Sequence, residues 1–392
     1  MTWPLLNKSP VARAITVALS VWLTACASGG LRETPKALPD PLPQEAEVAI
    51  EWWHILGDQY ADKSIAGLKP TVAESGDRII TALASGELLA IDAQGKVTRL
   101  GDLGVSITSP VTLDSNQLIL ADEQGNVRVV TEDLTPVWTL ALNALVTEAP
   151  LVTDERVFVQ SIDGRISAIE RITGRLLWSF QDAEPDLTLT GTSRPVLVST
   201  AQGDALVSGL ANGKLVAISV VDGSVIWEYR ITRASGKTEV SRLVDVDAQT
   251  TLLGSRLIAS SYQGDLVVID AATGRVLQAR PFSTYRSILA EDEVWFGVKA
   301  NSHVVAMDPA TLEERWVNDD LEFRQVSELV RLGDVLVMTD REGWLHVLDV
   351  HSGDYLGARH IDWQGVQREP VPFSDGVLVQ GDSTRLKFIK IR

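Results

Sequence analysis

The chain is poor in cysteine, in histidine and in positive charge. Its single cysteine in 392 residues excludes an internal disulfide. Its five histidines form neither an H-x-H nor an H-E-x-x-H pair, so we expect no metal site. Lysine and arginine number 35 against 52 acidic residues, and the net charge of −17 disfavours nucleic acid and anionic lipid surfaces as partners. The chain also lacks a phosphate-binding glycine loop and a G-x-S-x-G elbow, the signatures of two large enzyme classes.

Apolar runs long enough to cross a membrane are missing from the N-terminal region. The run over residues 14–23 is too short for a mature spanning helix, and Lys8 and Arg13 precede it, as in a signal peptide. The letters L-T-A-C, ending at Cys26, resemble the bacterial lipobox, in which cleavage leaves an acylated cysteine as the first residue. We therefore expect a signal peptide over 1–25 and lipidation at Cys26. An ordinary signal peptide with a chance cysteine is the alternative.

The residues after Cys26 predict the destination of the chain. Gram-negative lipoproteins that stay in the inner membrane carry an aspartate there, whereas this chain has Ala27 and Ser28. This favours anchoring in the outer membrane, at its periplasmic face. Glycines and prolines then follow over residues 26–46, which we interpret as an extended tether.

A repeat of about forty residues fills the rest of the chain. A turn residue recurs at spacings of 39, 39, 49, 51, 38, 41 and 40 residues. The turn positions are Gly86, Gly125, Gly164, Gly213, Gly264, Ser302, Gly343 and Ser383. Each unit contains four short apolar strands separated by turn signals, the pattern of a propeller blade. We therefore predict an all-β protein, an eight-bladed β-propeller with four-stranded antiparallel blades over residues 47–392.

The outer strands and the last unit complete this prediction. Four outer strands carry a tryptophan at one place, Trp138, Trp178, Trp227 or Trp316, which favours packing of blade on blade over ligand stacking. The eighth unit stops after about three strands. The strand-like residues 47–55 are expected to close that blade, with Trp52 or Trp53 in the tryptophan position.

Two of the repeat spacings exceed the others by about ten residues. The extra length falls in 181–193 and 231–249, each joining the outer strand of one blade to the inner strand of the next. Such connections emerge on the same face as the turns at Gly213 and Gly264. Both segments mix apolar and acidic residues, which suits either a protein contact or packing on the propeller rim.

With the lipobox and the eight blades, the segments P-D-L-T-L-T-G at 185–191 and T-E-V-S-R-L-V-D-V-D at 238–247 resemble the BamB family of outer-membrane lipoproteins. The resemblance covers the chain from Cys26 onward. It implies a non-catalytic scaffold in the β-barrel assembly machinery, which docks on the POTRA domains of BamA beside other lipoproteins of the complex. It also implies assistance to the folding and insertion of unfolded outer-membrane proteins.

The resemblance also implies four partner-binding residues. Leu187 and Leu189 match the family's apolar anchors, and Asp245 and Asp247 match its charge partners for BamA. The family has an arginine where this chain has Thr190, so that contact is absent or is remade by a neighbour such as Arg194.

Two alternative functions remain open. Repeats of this kind also build periplasmic quinoprotein dehydrogenases, which hold a quinone and calcium at the propeller axis and use a pair of adjacent cysteines. A second cysteine is missing here and no calcium-ligand cluster is evident, so we expect neither enzyme activity nor a cofactor. The other alternative is a scaffold for a different envelope complex.

Overall fold

Where the structure describes the chain, its regular elements are β-strands. The computed structural model describes residues 33–56, 71–73, 76–182, 194–210, 212–231, 249–366 and 368–392. It divides into Met1–Pro35 and Lys36–Arg392, and residues 33–35 of the first unit have no regular structure. In the described part, no helix has the length and apolar character needed to cross a membrane.

The second unit contains eight sheets of four strands. Strand β1 spans Val48–Ile55. Blade 1 holds β2 (Thr71–Val72), β3 (Arg78–Ala82), β4 (Glu87–Asp92) and β5 (Val97–Asp102); blade 2 holds β6 (Thr112–Asp114), β7 (Gln117–Ala121), β8 (Asn126–Thr131) and β9 (Pro136–Ala141); blade 3 holds β10 (Leu151–Val152), β11 (Arg156–Gln160), β12 (Ile166–Glu170) and β13 (Leu176–Phe180); blade 4 holds β14 (Val196–Thr200), β15 (Gly203–Gly209), β16 (Lys214–Ser219) and β17 (Val225–Arg230). Blade 5 holds β18 (Thr251–Leu253), β19 (Arg256–Ser260), β20 (Asp265–Asp270) and β21 (Val276–Pro281); blade 6 holds β22 (Leu289–Ala290), β23 (Trp295–Val298), β24 (Val304–Met307) and β25 (Glu314–Asn318); blade 7 holds β26 (Val330–Leu332), β27 (Val335–Thr339), β28 (Trp344–Asp349) and β29 (Tyr355–His360); blade 8 holds β30 (Val371–Phe373), β31 (Gly376–Gln380) and β32 (Arg385–Ile391).

Blade 8 takes its fourth strand from the N-terminal side of the chain. The order of its sheet is β1-β32-β31-β30, and β1 runs antiparallel to β32 with Trp52 opposite Phe388. The other sheets each contain four consecutive strands in order. The predicted eight-bladed propeller, closed by an N-terminal strand, is therefore confirmed.

The apolar core lies in the seams between neighbouring blades. One buried cluster joins Val207 and Ala217 of blade 4 to Leu257 and Val267 of blade 5, and a comparable cluster occupies each of the other seven seams. A strand inside a blade is covered on both faces, so runs such as Leu215–Ile218 are apolar at every position and fully buried. Burial of such side chains, about 1.5–3 kcal/mol each, is available only when blades stack.

Tryptophans of the outer strands bridge the seams as predicted. Trp227 of blade 4 donates its indole N–H to the carbonyl of Ala271 in blade 5 at 3.1 Å, and its ring lies under Gly274. The same pair of contacts, to a carbonyl and a turn glycine of the next blade, recurs for Trp52, Trp138, Trp178 and Trp316. Of the two candidates in β1, Trp52 therefore takes this place, while Trp53 is half exposed.

The propeller has two faces with different contents. One face carries the hairpins between the second and third strands of each blade. It also carries the connections from each blade to the next, and we call it the loop face. Its hairpin turns end at Gly86, Gly125, Gly164, Gly213, Gly264, Ser302, Gly343 and Thr384. The sequence prediction of Ser383 is one residue early, because the closing bond of that turn runs from the Thr384 N–H to the Gly381 carbonyl at 3.0 Å.

Residues 36–46 form a strap along blades 6 to 8. The carbonyl of Lys36 accepts a hydrogen bond from Arg324 at 3.0 Å, and its ammonium pairs with Asp319 at 2.8 Å. Leu38 and Leu42 pack on the cluster between blades 6 and 7. The strap thus starts on the loop face, crosses the rim and leads into β1.

Candidate functional site

The stems of the two long connections meet at one turn of the loop face. Asp182, which begins the first connection, accepts hydrogen bonds from the side chains of Asn212 at 2.9 Å and Lys214 at 3.1 Å. Where the second connection begins, Ile231 donates its N–H to the carbonyl of Gly213 at 2.9 Å. Both connections therefore leave the propeller beside the central hairpin of blade 4.

The cation at this turn is paired with two carboxylates. Lys214 pairs with Asp182 on one side and with Glu228 at 3.2 Å on the other. The hydrogen bond to Asp182, then that to Glu228, raises the pKa of the Lys214 ammonium above its ordinary value. Lys214 therefore joins the start of the first connection to β16 and β17 and does not offer a free charge to a partner.

The four predicted partner residues lie outside the described residues. Leu187 and Leu189 belong to the first long connection, and Asp245 and Asp247 belong to the second. They remain predictions, as does lipidation of Cys26, which also lies outside the described part.

Arg194, the proposed substitute for the family arginine, lies at the foot of the first connection. Its guanidinium donates to the carbonyl of Pro150 in blade 3 at 3.3 Å. Burial lowers the pKa of this guanidinium, and the charge of Glu148 partly opposes that effect. The side chain therefore packs against the inner part of the propeller.

Large apolar and aromatic side chains flank the turn of blade 4. Ile162, in the turn of blade 3, is 55% exposed. In blade 5, Tyr262 stacks on Tyr285 with centroids 4.2 Å apart, and Tyr285 is 41% exposed. Burial, followed by the hydrogen bond with Tyr262, raises the pKa of Tyr285 and keeps its hydroxyl neutral. Apolar anchors beside a charged stem suit a protein partner.

These flanking residues were not singled out from the sequence, although a signal was present. Ile162 and Tyr262 stand two residues before the turn glycine of their blades. The same place is alanine or charged in the other blades: Ala84, Glu123, Ala211, Ala300, Arg341 and Asp382. A large apolar residue at this one place, in the two blades on either side of blade 4, marks the surface.

A buried polar network in blade 7 is the arrangement that most resembles a catalytic relay. His346 lies 3.0 Å from the carboxylate of Asp340 and 2.7 Å from the hydroxyl of Tyr355, and Arg324 donates to Asp340 at 2.6 Å. Burial lowers the pKa of His346, although Asp340 opposes it. Burial alone would raise the pKa of Asp340, but hydrogen bonds from His346 and Trp344 bring it below its ordinary value. His346 and Asp340 are inaccessible to solvent. Arg324, which donates to both Asp340 and the carbonyl of Lys36, ties the network to the strap.

A metal centre finds no support in the described part of the chain. Within those ranges, no group of three or more His, Cys, Asp or Glu side chains could hold a metal ion.

Comparison with known proteins finds that the chain is similar to members of one family. The model of the family described as outer membrane protein assembly factor BamB matches residues 84–318. The protein of that name from Shewanella oneidensis is 27% identical, over 98% of either chain. The one from Burkholderia pseudomallei is 31% identical, over 76% of this chain and 77% of its own. Among solved structures, BamB from Moraxella catarrhalis superposes with a TM-score of 0.76 at 20% identity, covering 88% of this chain and 100% of its own.

Proposed function

The chain belongs to the family of outer membrane protein assembly factor BamB, and we propose that it is a non-catalytic scaffold of that assembly process. The observation that carries this proposal is the family match over residues 84–318. The relative from Shewanella oneidensis, which aligns over 98% of its own length, supports it across the whole chain. The substrates would be unfolded outer-membrane β-barrel proteins, whose folding and insertion the scaffold assists.

The proposed location is the periplasmic face of the outer membrane. Acyl chains on Cys26 would hold the protein there, since more than one chain gives stable anchoring. The lipobox and the Ala27-Ser28 pair support this location. Lys36, ten residues further on, is fixed to the propeller by Arg324 and Asp319.

The proposed partner is BamA, bound through its POTRA domains beside the other lipoproteins of the complex. Leu187 and Leu189 would supply apolar anchors, while Asp245 and Asp247 would pair with basic groups. Two features support this surface: the long connections leave from one turn, and the exposed Ile162 lies in the neighbouring blade.

Capture of BamA tests the proposal directly. The mature chain from Ala27 onward is mixed with the periplasmic domains of BamA from the same bacterium, and saturable binding is expected. The Asp245→Ala/Asp247→Ala variant should bind several-fold more weakly and unfold like the wild type, because acids on surface loops contribute little to stability. The matched control is Asp292→Ala/Glu293→Ala, which removes the same charge from exposed positions on the opposite face. Equal binding by both variants would refute the assignment of the two aspartates.

The two alternatives predict other outcomes of the same preparation. A quinoprotein dehydrogenase would give a saturable absorbance spectrum when quinone and calcium are added. A scaffold of another envelope complex would leave folded BamA unbound and would retain a different partner when the native complex is captured.

A further inference from the structure

Trp363 is the most exposed large apolar side chain in the described part of the protein, at 86%. It lies on the loop face, in the connection between blades 7 and 8. Indole is costly to leave in water and is usually covered by a partner or placed where one end stays wet. The blade repeat does not require a tryptophan at this position, so we expect Trp363 to make a contact outside the propeller.

The turn that presents Trp363 is firmly built. The two residues before Trp363, Ile361 and Asp362, both donate their N–H groups to the carbonyl of Gly343, at 2.8 and 3.1 Å. The buried carboxylate of Asp362 accepts the N–H of Gln364 at 2.8 Å and the hydroxyl of Ser383. The exposure of Trp363 is thus a fixed feature of the fold.

Trp363 belongs to a cluster that we call the aromatic corner: Trp344, His360 and Trp363. The rings of His360 and Trp363 have centroids 3.9 Å apart, and Trp344 meets His360 edge-on at 5.1 Å. The exposed indole of Trp363 thus packs on His360, and His360 packs on Trp344.

A short series of contacts connects the corner to the start of the strap. His360 lies 3.2 Å from the carbonyl of Glu342, and the carboxylate of Glu342 accepts a hydrogen bond from Arg324 at 2.6 Å. The same guanidinium donates to the carbonyl of Lys36 at 3.0 Å. The residue from which the chain continues towards Cys26 is therefore connected to the aromatic corner through Arg324 and Glu342.

We propose that the aromatic corner rests in the interfacial layer of the phospholipid bilayer that holds the acylated Cys26. The proposal depends on the lipid anchor of the proposed function. Lys36 lies ten residue steps after Cys26, a length of at most about 36 Å when fully extended. That length keeps the corner within reach of the bilayer surface, and tryptophan is the side chain that prefers this layer.

The net charge of the chain favours an apolar contact with the bilayer over an electrostatic one. The mature chain is strongly acidic, so attraction to anionic headgroups cannot hold it. The charged groups near the corner are of both signs: Arg324 pairs with Glu342 at 2.6 Å, and Lys36 pairs with Asp319 at 2.8 Å. A shallow insertion of Trp363 into a bilayer rich in phosphatidylethanolamine needs no net positive patch.

The proposed bilayer contact leaves the partner surface free. The aromatic corner lies between blades 7 and 8, and the stems of the long connections flank blade 4. In a closed ring of eight blades these sectors are on opposite sides of the axis. One face can therefore touch the bilayer at one edge and a protein at the other.

Spin labelling of the lipid-anchored full chain tests the contact. Gln364→Cys places a nitroxide at an exposed position next to Trp363 and keeps the indole. The native Cys26 does not react, because it carries its acyl chain on the sulfur. The anchored protein is reconstituted in vesicles of phosphatidylethanolamine with a minor share of phosphatidylglycerol. The label should be several-fold less accessible to a water-soluble nickel complex, and more accessible to oxygen, than the same label at Ile172→Cys. Ile172 is the matched control, since it is 82% exposed on the opposite face.

Each outcome decides the proposal. Equal nickel accessibility at the two sites in anchored protein would overturn it. Protection of the corner that arises only when BamA is added would assign the indole to a protein contact and also overturn it. A chain that fails to float with the vesicles would refute the anchor itself, whereas BamA capture by the mature chain would still test the scaffold role separately.

Discussion

Replacing Gly274 by alanine probes the seam between blades 4 and 5. Gly274 has a φ of 70°, and a Cβ placed on it would lie 2.6 Å from Cδ2 of Trp227. A left-handed conformation costs a non-glycine residue about 1–2 kcal/mol. Displacing a packed indole costs about 1–3 kcal/mol more. We expect Gly274→Ala to lower the free energy of unfolding by about 2–5 kcal/mol, the sum of these two terms.

Gly254 supplies a matched control within the same blade. Its φ is 59°, but a Cβ there would meet nothing within 4 Å. Gly254→Ala should therefore cost only the backbone term, about 1–2 kcal/mol. The difference between the two variants isolates the displacement of Trp227. In a Trp227→Ala background, the cost of Gly274→Ala should fall to that of the control.

Urea unfolding of the mature chain, followed by circular dichroism and tryptophan fluorescence, measures these costs. The slope of the free energy with urea should stay constant, so that a shift in midpoint reports stability. Equal losses for Gly274→Ala and Gly254→Ala would refute the close seam. An extra cost that persists without Trp227 would refute the role of the indole.

Three further variants test other contacts of the ring. Trp138→Phe leaves the carbonyl of Arg171 without its 2.7 Å bond and should cost about 1–3 kcal/mol in the same urea assay. Leu38→Ala loosens the strap and should speed tryptic cleavage at Lys36 several-fold, while the midpoint of global unfolding changes little. The pKa of His346 lies below its ordinary 6.5 in the folded protein, so below about pH 6.5 the unfolded chain binds a proton that the folded chain does not. Stability should fall as pH drops through this value, by at most about 1.4 kcal/mol per pH unit, and an unchanged slope in His346→Gln would contradict this.

The blade repeat made most of the fold predictable. A tryptophan that returns at one place in four outer strands can contact the next blade in the same way each time, and the structure bears this out at Trp138 and Trp227. The incomplete eighth unit likewise required a strand from elsewhere, and residues 47–55 were the strand-like segment before the first blade. Stacked blades give equivalent residues of each unit the same local environment. The sequence pattern therefore repeats from blade to blade and predicts the fold.

Contacts that break the repeat could not be predicted. Residues 36–46 have the composition of a tether, and only the fold brings Leu38 and Leu42 to the seam of blades 6 and 7. Arg324 binds Lys36 across 288 positions of sequence, a separation that no local pattern encodes. At the candidate site, Ile162 was detectable as an exception within the repeat. The four predicted partner residues stay predictions, because they lie outside the described part.

The route of the N-terminal segment couples ring closure to the position of the proposed anchor. The same stretch of chain supplies β1 to blade 8, covers Gly357 of blade 7, and presents Lys36 on the loop face. A side chain at Gly357 would meet the carbonyl of Ala46 at 2.6 Å, so that glycine makes room for the strap where other outer strands carry tryptophan. Because the strap is packed, the reach of the proposed anchor is set by the number of residues between Cys26 and Lys36. Lengthening the chain between these two residues should therefore relax the proposed bilayer contact and leave blade 4, with its proposed partner surface, unchanged. Such a variant would separate the proposed anchoring from the proposed docking.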